Sequence, residues 1–273
     1  MNLKDQKVAV TSISFGKSSA LREKLLHIFP NSVFHEHGEK LQGESLIKFI
    51  NDADAAIVGV EAIDNYLLEH TPNLKIISKY GVGLDSIDQK ALKQRDISLG
   101  WIGGVNRRSV SELTLCFMLG LCRNIFNSGF QLKQSKWEKH GGYQLSKKTI
   151  GIIGCGEIGS DVVTLVSPFK CNILVRDIAD KSTFCKEEGA SEVTLEKLLS
   201  KSDIISLHVP LTKLTYHMVD EKFLTKMKPT AFLVNTCRGN VVKQKALKEA
   251  LQKKIIAGAA LDADAGKIWF SHN

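Results

Sequence analysis

No uninterrupted run of about 18 apolar residues occurs in this chain, so nothing in it reads as a membrane-spanning helix. A signal peptide is missing too, since Met1-Asn2-Leu3-Lys4-Asp5 leads straight into a strand-like Val8-Ala9-Val10. Both absences predict a cytoplasmic protein with no membrane partner. The six cysteines (Cys116, Cys122, Cys155, Cys171, Cys185 and Cys237) lack paired metal-ligand spacing and lie mostly inside apolar runs. They read as small core residues in a reducing compartment, and no metal is expected. Short-period repeats and low-complexity segments are absent as well. Aromatic residues are not interleaved with the basic ones: lysines such as Lys243, Lys245, Lys248, Lys253 and Lys254 fall on solvent-facing helix positions. That pattern argues against nucleic acid. The net charge of +8 would instead draw small anions such as dinucleotides, carboxylates or phosphates.

At 273 residues and 43% hydrophobic content, two ordinary domains are expected. The most informative stretch is Thr149 to Asp177. An apolar strand, Ile150-Gly151-Ile152-Ile153, runs into Gly154-Cys155-Gly156-Glu157-Ile158-Gly159, then a helical Asp161-Val162-Val163-Thr164-Leu165-Val166, a second strand at Ile173-Leu174-Val175 and an acid at Asp177. This is a dinucleotide-binding fingerprint. Gly154 serves the turn, Gly156 lets backbone approach a pyrophosphate, and Gly159 allows close packing of helix on strand. The pyrophosphate would sit at the helix N-terminus, where unpaired N–H groups and the helix dipole favour negative charge. Asp177, at the end of the second strand, can accept hydrogen bonds from the ribose hydroxyls and would repel a 2′-phosphate. NAD is therefore expected over NADP, with Arg176 beside it tempering that preference.

Before this unit, short β-like runs alternate with helical stretches. Strands are expected at Val8–Thr11, Ser32–His35, Ala55–Val60, Lys75–Lys79 and Ile97–Leu99, with helices near 18–28, 44–51, 63–69 and 87–94. Such alternation argues for a parallel sheet covered on both faces. Val110 to Phe126 is apolar around nearly its whole circumference, as in a helix buried between domains or subunits. Trp137 to Ser146 reads as an irregular connector. Further strands at Glu192–Thr194, Asp203–His208, Ala231–Thr236 and Ile255–Leu261 bring the second unit to six, the number of a complete doubly wound dinucleotide domain.

Six blocks in order make the chain resemble the D-isomer-specific 2-hydroxyacid dehydrogenases, and their phosphoglycerate dehydrogenase branch in particular. These are Gly81-Val82-Gly83-Leu84-Asp85, Gly104-Val105-Asn106 with Val110-Ser111-Glu112, the glycine turn, Leu207-His208-Val209-Pro210-Leu211-Thr212, Val234-Asn235-Thr236-Cys237-Arg238-Gly239, and Gly258-Ala259-Ala260-Leu261-Asp262. The resemblance implies an α/β architecture: a flavodoxin-like substrate domain over residues 1–100, incomplete without a returning C-terminal segment, then a Rossmann doubly wound NAD-binding domain over 101–273. It implies hydride transfer between the nicotinamide and C2 of a small anionic D-2-hydroxy or 2-keto acid, foremost 3-phosphoglycerate, in a homodimer. By resemblance, Arg238 pairs with the substrate carboxylate and polarises the C2 carbonyl, a task that suits a permanently charged, two-pronged guanidinium. Val82 and Gly83 offer backbone N–H groups to that carboxylate, Lys79 stands where an arginine meets the substrate phosphate, and Asn106 starts the interdomain helix or merely caps it. Glu157 and Ile158 join the three glycines and Asp177 in holding the cofactor. His208, Pro210, Thr236 and Cys237 line its groove, and Asp262 accepts from the carboxamide.

After Asp262 the family's pattern stops. By position its orienting carboxylate falls on Lys267 and its acid–base histidine has no counterpart; His272 stands one residue from the end and is not taken as held in place, Asp264 is a substitute carboxylate with no fixed histidine to orient, and Ile268-Trp269-Phe270 reads as an unrelated tail. The ending therefore reads as a shortened or out-of-frame version of a longer gene product, and the chain is expected to bind NAD better than it turns over. Two further readings follow from the resemblance: an NAD-responsive module like the C-terminal-binding-protein corepressors, and a silent fragment that docks to a complete paralogue.

Overall fold

The computed structural model describes residues 3–36, 38–137 and 141–262. It divides into two compact units between Val105 and Asn106, a few residues beyond the boundary drawn from the sequence.

The first unit contains β1 (Val8–Val10), α1 (Ile13–Gly16), α2 (Ser19–Ile28), β2 (Val33–Phe34), α3 (Glu44–Ile50), β3 (Ala55–Val58), α4 (Asn65–Glu69), β4 (Ile76–Lys79), α5 (Gln89–Gln94) and β5 (Ser98–Gly100). Its sheet is wholly parallel, in the order β2-β1-β3-β4-β5. This is the flavodoxin-like arrangement. Side-chain caps set where the helices begin. Asp64 accepts from the Leu67 N–H at 2.9 Å, so α4 starts at Asn65, and Asp88 accepts from the Lys90 and Ala91 N–H groups at 3.0 Å, so α5 starts at Gln89. Leu46, Ile50, Ala56, Val58, Ile63 and Ile77 are sealed from solvent between α3, α4 and the sheet. Burying each of the larger aliphatic side chains stabilises the fold by about 1.5–3 kcal/mol. By contrast, α1 and α2 contain no buried residue.

The second unit opens with α6 (Arg107–Cys122) and α7 (Ile125–Lys133), followed by β6 (Thr149–Ile153), α8 (Glu157–Val166), β7 (Asn172–Arg176), α9 (Ser182–Glu187), β8 (Ser191–Glu192), α10 (Leu195–Lys201), β9 (Ile204–Leu207), α11 (Glu221–Thr225), β10 (Phe232–Asn235), α12 (Gln244–Gln252) and β11 (Gly258–Leu261). All six strands are parallel, in the order β11-β10-β9-β6-β7-β8. Counted from β6 this is 3-2-1-4-5-6, the doubly wound order of a Rossmann domain. Residues one apart fall into different cores, as the two-residue period of a strand requires: Ile173 and Val175 join one cluster, Leu174 the other. The strand expected from Ile255 begins only at Gly258, because Lys254 takes a left-handed φ of 55° and the Ile255 N–H turns back to the Ala250 carbonyl.

The helix expected from Val110 to Phe126 is two helices. Cys122 ends α6, Asn124 adopts φ 53° and ψ 29°, and α7 leaves at an angle of 72°. Phe126 folds back so far that a Cβ on Gly120 would collide with its ring. Nor is α6 buried all round: Ser111, Thr114, Met118 and Cys122 point inward while Glu112 and Cys116 are exposed. No single helix among the described residues is long and apolar enough to cross a membrane.

Candidate functional site

In the second unit the site residues follow one row across the sheet. Register pairs Arg176 with Ile153, Ile153 with Leu207, Leu207 with Asn235, and Asn235 with Leu261. The next residue on each strand is Asp177, Gly154, His208, Thr236 and Asp262 in turn. Parallel strands thus deliver all five side chains or turns to the same carboxyl edge, where open α/β sheets bind their ligands. Backbone bonds continue the row: the N–H groups of Gly154, His208 and Asp262 donate to the carbonyls of Arg176, Ile153 and Asn235 at 2.9, 2.8 and 2.9 Å.

The glycine turn has the shape that a dinucleotide needs. Gly154 takes φ 89°, and a Cβ there would collide with the His208 carbonyl oxygen. A Cβ on Gly159 would collide with the Gly154 carbonyl oxygen, so α8 lies directly on the turn. At Gly156 a Cβ would meet nothing within 4 Å, which leaves open space beside the first N–H groups of α8. This is room for a pyrophosphate on a helix N-terminus. Glu157, in the first turn of α8, pairs with Arg107 at 3.0 Å, and Arg108 pairs with Asp161 at 2.8 Å. Ile158 is tied to α6 by its carbonyl, which accepts from the Ser111 hydroxyl at 3.4 Å.

Asp177 accepts from the Cys155 N–H at 2.5 Å and from the Ala179 N–H at 2.9 Å. Its partial burial acts to raise the pKa, but these donors outweigh it and hold the carboxyl below the usual range. The charge that would repel a 2′-phosphate is therefore present at neutral pH. Burial pushes the Cys155 thiol up to about 12, so this cysteine in the middle of the turn is a packed, inert group.

His208 receives one partner, the Ser206 hydroxyl 2.9 Å from Nε2, while its buried Nδ1 has none among the described residues. Burial lowers its pKa to about 4, so the ring is neutral. A neutral imidazole with one buried nitrogen still unsatisfied, at the carboxyl edge of β9, suits a groove that awaits a polar ligand. Pro210 follows in the exposed loop, its carbonyl accepting from the Thr215 hydroxyl at 2.6 Å.

The turn after β10 is organised by Asn235. Its Nδ2 donates to the Arg238 carbonyl at 2.9 Å, and its Oδ1 accepts from the Cys237 N–H and thiol, both at 3.0 Å. The Thr236 hydroxyl lies 2.9 Å from that of Thr114 on α6, in a buried contact. Half-buried Arg238 uses one guanidinium nitrogen to donate to the Cys237 carbonyl at 2.8 Å. Burial raises the Cys237 thiol. Asn235, Ser206 and Thr114 carried no role in the sequence reading. The signal for the first two is a polar residue inside an apolar strand, which must find a partner when buried.

Asn106 stands before α6 without capping it: no side-chain cap bond forms, and its buried Oδ1 has no partner among the described residues. The capping role considered from the sequence is therefore not the one it plays.

In the first unit, Lys79 closes β4 and its ammonium donates to the Gly59 carbonyl at the end of β3. The loop beyond it carries Gly81 at φ 130°, then Val82 and Gly83. The Val82 carbonyl accepts from the Trp101 indole N–H at 3.0 Å. Asp264, Lys267, Ile268-Trp269-Phe270 and His272 lie outside the described residues.

Residues 115–266 match the family described as D-isomer specific 2-hydroxyacid dehydrogenase, NAD binding domain. The chain is 39% identical over 224 residues to a glyoxylate reductase of Korarchaeum cryptofilum, covering 80% of this chain and 68% of that protein. It is 36% identical to a hydroxypyruvate reductase of Thermotoga maritima, over 82% of this chain and 73% of the relative. In three dimensions it is similar to the D-lactate dehydrogenase from Aquifex aeolicus complexed with NAD and lactic acid, with a TM-score of 0.83 and 28% identity, over 95% of this chain and 77% of that one. With the doubly wound order, the glycine turn and the Asp177 carboxylate in place, NAD is the cofactor, and the chain belongs to the D-isomer specific 2-hydroxyacid dehydrogenase family.

Proposed function

We propose that this protein reduces a small, unphosphorylated 2-keto acid of the glyoxylate or hydroxypyruvate class to the D-2-hydroxy acid. The observation that carries this reading is the single row of Asp177, Gly154, His208, Thr236 and Asp262, with Arg238 in the turn that follows Thr236. When bound there, NADH supplies the hydride. Arg238 pairs with the substrate carboxylate and polarises the C2 carbonyl, withdrawing electron density as charge develops on oxygen, and the alkoxide left by hydride addition takes its proton from solvent water. Neutral His208 contributes a hydrogen bond rather than a charge. Asn235 holds the backbone on which Arg238 stands.

Two observations favour the unphosphorylated class over 3-phosphoglycerate, the substrate first expected. The similar proteins above carry glyoxylate reductase and hydroxypyruvate reductase as names. And Lys79, the residue that would meet a phosphate, directs its ammonium to the Gly59 carbonyl.

The test is NADH oxidation with glyoxylate, hydroxypyruvate and 3-phosphohydroxypyruvate, with Arg238→Lys as control. We expect kcat/KM for the first two to exceed that for the phosphorylated acid by at least about tenfold. Losing the bidentate contact in the control removes about 1.5–3 kcal/mol, or roughly 10- to 150-fold in kcat/KM, with NADH affinity retained. A preference for the phosphorylated acid would return the assignment to 3-phosphoglycerate. Absence of turnover with every keto acid would overturn the proposal.

A further inference from the structure

We infer that Trp101 is a positioning residue for the substrate carboxylate, acting through the peptide bond between Val82 and Gly83. The inference rests on the reading above that these two residues offer their N–H groups to a 2-keto acid. Among the described residues, neither the Val82 nor the Gly83 N–H donates to a protein acceptor, while the Val82 carbonyl is held by the Trp101 indole N–H at 3.0 Å. Carbonyl and following N–H belong to one planar trans unit and point in opposite directions. Fixing the Val82 oxygen on one side therefore fixes the Gly83 N–H on the other.

The loop needs such a fixture. Gly81 at φ 130° starts it in a conformation open chiefly to glycine, and glycine at position 83 adds freedom that no side chain restrains. The indole has a support on one side: a Cβ on Gly103 would stand 3.1 Å from Trp101 Cη2 and 3.3 Å from Cζ2, so the ring lies against the Gly103 backbone. Trp101 is 44% exposed, too much for a core residue whose only task is packing. A neutral side chain with one aimed donor can set the peptide without adding a charge that would compete for the carboxylate.

Trp101→Phe keeps an aromatic ring and removes the donor. We expect KM for glyoxylate, and Ki for oxamate as a carboxylate probe, to rise about tenfold, the equivalent of one neutral hydrogen bond. The NADH Kd and the melting temperature should be unchanged, with kcat within about twofold. Gly103→Ala keeps the donor but crowds the ring, and should raise KM in the same direction should the Phe variant fold poorly. Independently of turnover, the Gly83 amide resonance of the full chain is followed by NMR during oxamate titration. Half-saturation at a higher oxamate concentration in Trp101→Phe supports the inference, and half-saturation at equal concentration overturns it. An unchanged KM in both variants also overturns it. Wild-type protein that shifts this resonance with oxamate yet reduces no keto acid would sink the proposed function while leaving the role of Trp101 standing.

Discussion

Asn235 and Arg238 are joined across their turn by a hydrogen bond of 2.9 Å, from the Asn235 side-chain amide to the Arg238 carbonyl. The same amide oxygen takes the Cys237 N–H, so one buried side chain fixes both ends of the segment that presents the guanidinium. Asn235→Ala leaves a partly buried carbonyl and a partly buried N–H without this partner. The expected cost is about 1–3 kcal/mol in stability. Because Arg238 would shift with its backbone, kcat/KM for a keto acid should fall by about 10²-fold, more than the stability loss alone explains. Thermal melts and steady-state kinetics on the same preparation check this, and a variant that melts early but turns over normally would show that the turn holds itself.

Gly159→Ala tests the close approach of α8 to the turn. The new methyl group collides with backbone, the Gly154 carbonyl, and cannot be relieved by a rotamer change. NADH affinity should drop by more than about tenfold, read from the fluorescence of bound NADH. Gly156→Ala is the informative contrast, since the free chain has room for its methyl group and only the bound cofactor would meet it. Its melting temperature should match wild type while NADH binding weakens.

His208 predicts the acid side of the stability profile. The ring is held neutral in the fold, with a pKa of about 4 against an ordinary value near 6.5, because burial disfavours its charged form. Below about pH 6.5 the unfolded chain takes up this proton more readily than the folded one. Stability from this group is therefore complete above that pH and is lost as pH falls towards 4. Denaturant midpoints measured from pH 7.5 to 4.5 should decline, and the decline should be shallower in His208→Gln. Equal slopes would place the acid sensitivity elsewhere.

Asp177→Ser should relax the choice between cofactors. The carboxylate is charged at neutral pH because the N–H groups of Cys155 and Ala179 outweigh the effect of its partial burial. Serine removes the repulsion of a 2′-phosphate and leaves Arg176 beside the site. The ratio of NADH to NADPH affinity is expected to fall about tenfold or more, measured by fluorescence titration with each cofactor. An unchanged ratio would mean that Arg176 or the loop backbone sets the preference.

Much of this protein could be read from residue order alone. Short runs rich in Val, Ile, Leu and Ala, ended by glycine or a polar residue, marked most of the strands, because a parallel sheet is covered on both faces. The glycine turn was legible because only glycine satisfies its backbone angles and close contacts, and Asp177 because its distance from the turn is set by one helix and one strand. Helix ends at Asp64 and Asp88 were blurred by a residue or two, since capping is a matter of side-chain geometry. The break in the helix after Cys122 had only a weak signal, Asn124, a residue that tolerates the left-handed conformation; the packing of Phe126 on Gly120 that accompanies the bend is a tertiary contact.

The sequence by itself determined which residue types stand at the strand ends: a glycine turn, an acid after the second strand, and an arginine in a polar turn. These depend on local backbone demands and on residue types, both of which are written in order along the chain. Only the tertiary structure decided that Asp177, Gly154, His208, Thr236 and Asp262 form one row, since strand register lines up residues spread over more than 100 positions of the chain. It alone decided that His208 is neutral, that Asn235 governs Arg238, and that Trp101 reaches the Val82 carbonyl. Burial and hydrogen-bond direction arise when segments meet, and no single segment encodes them.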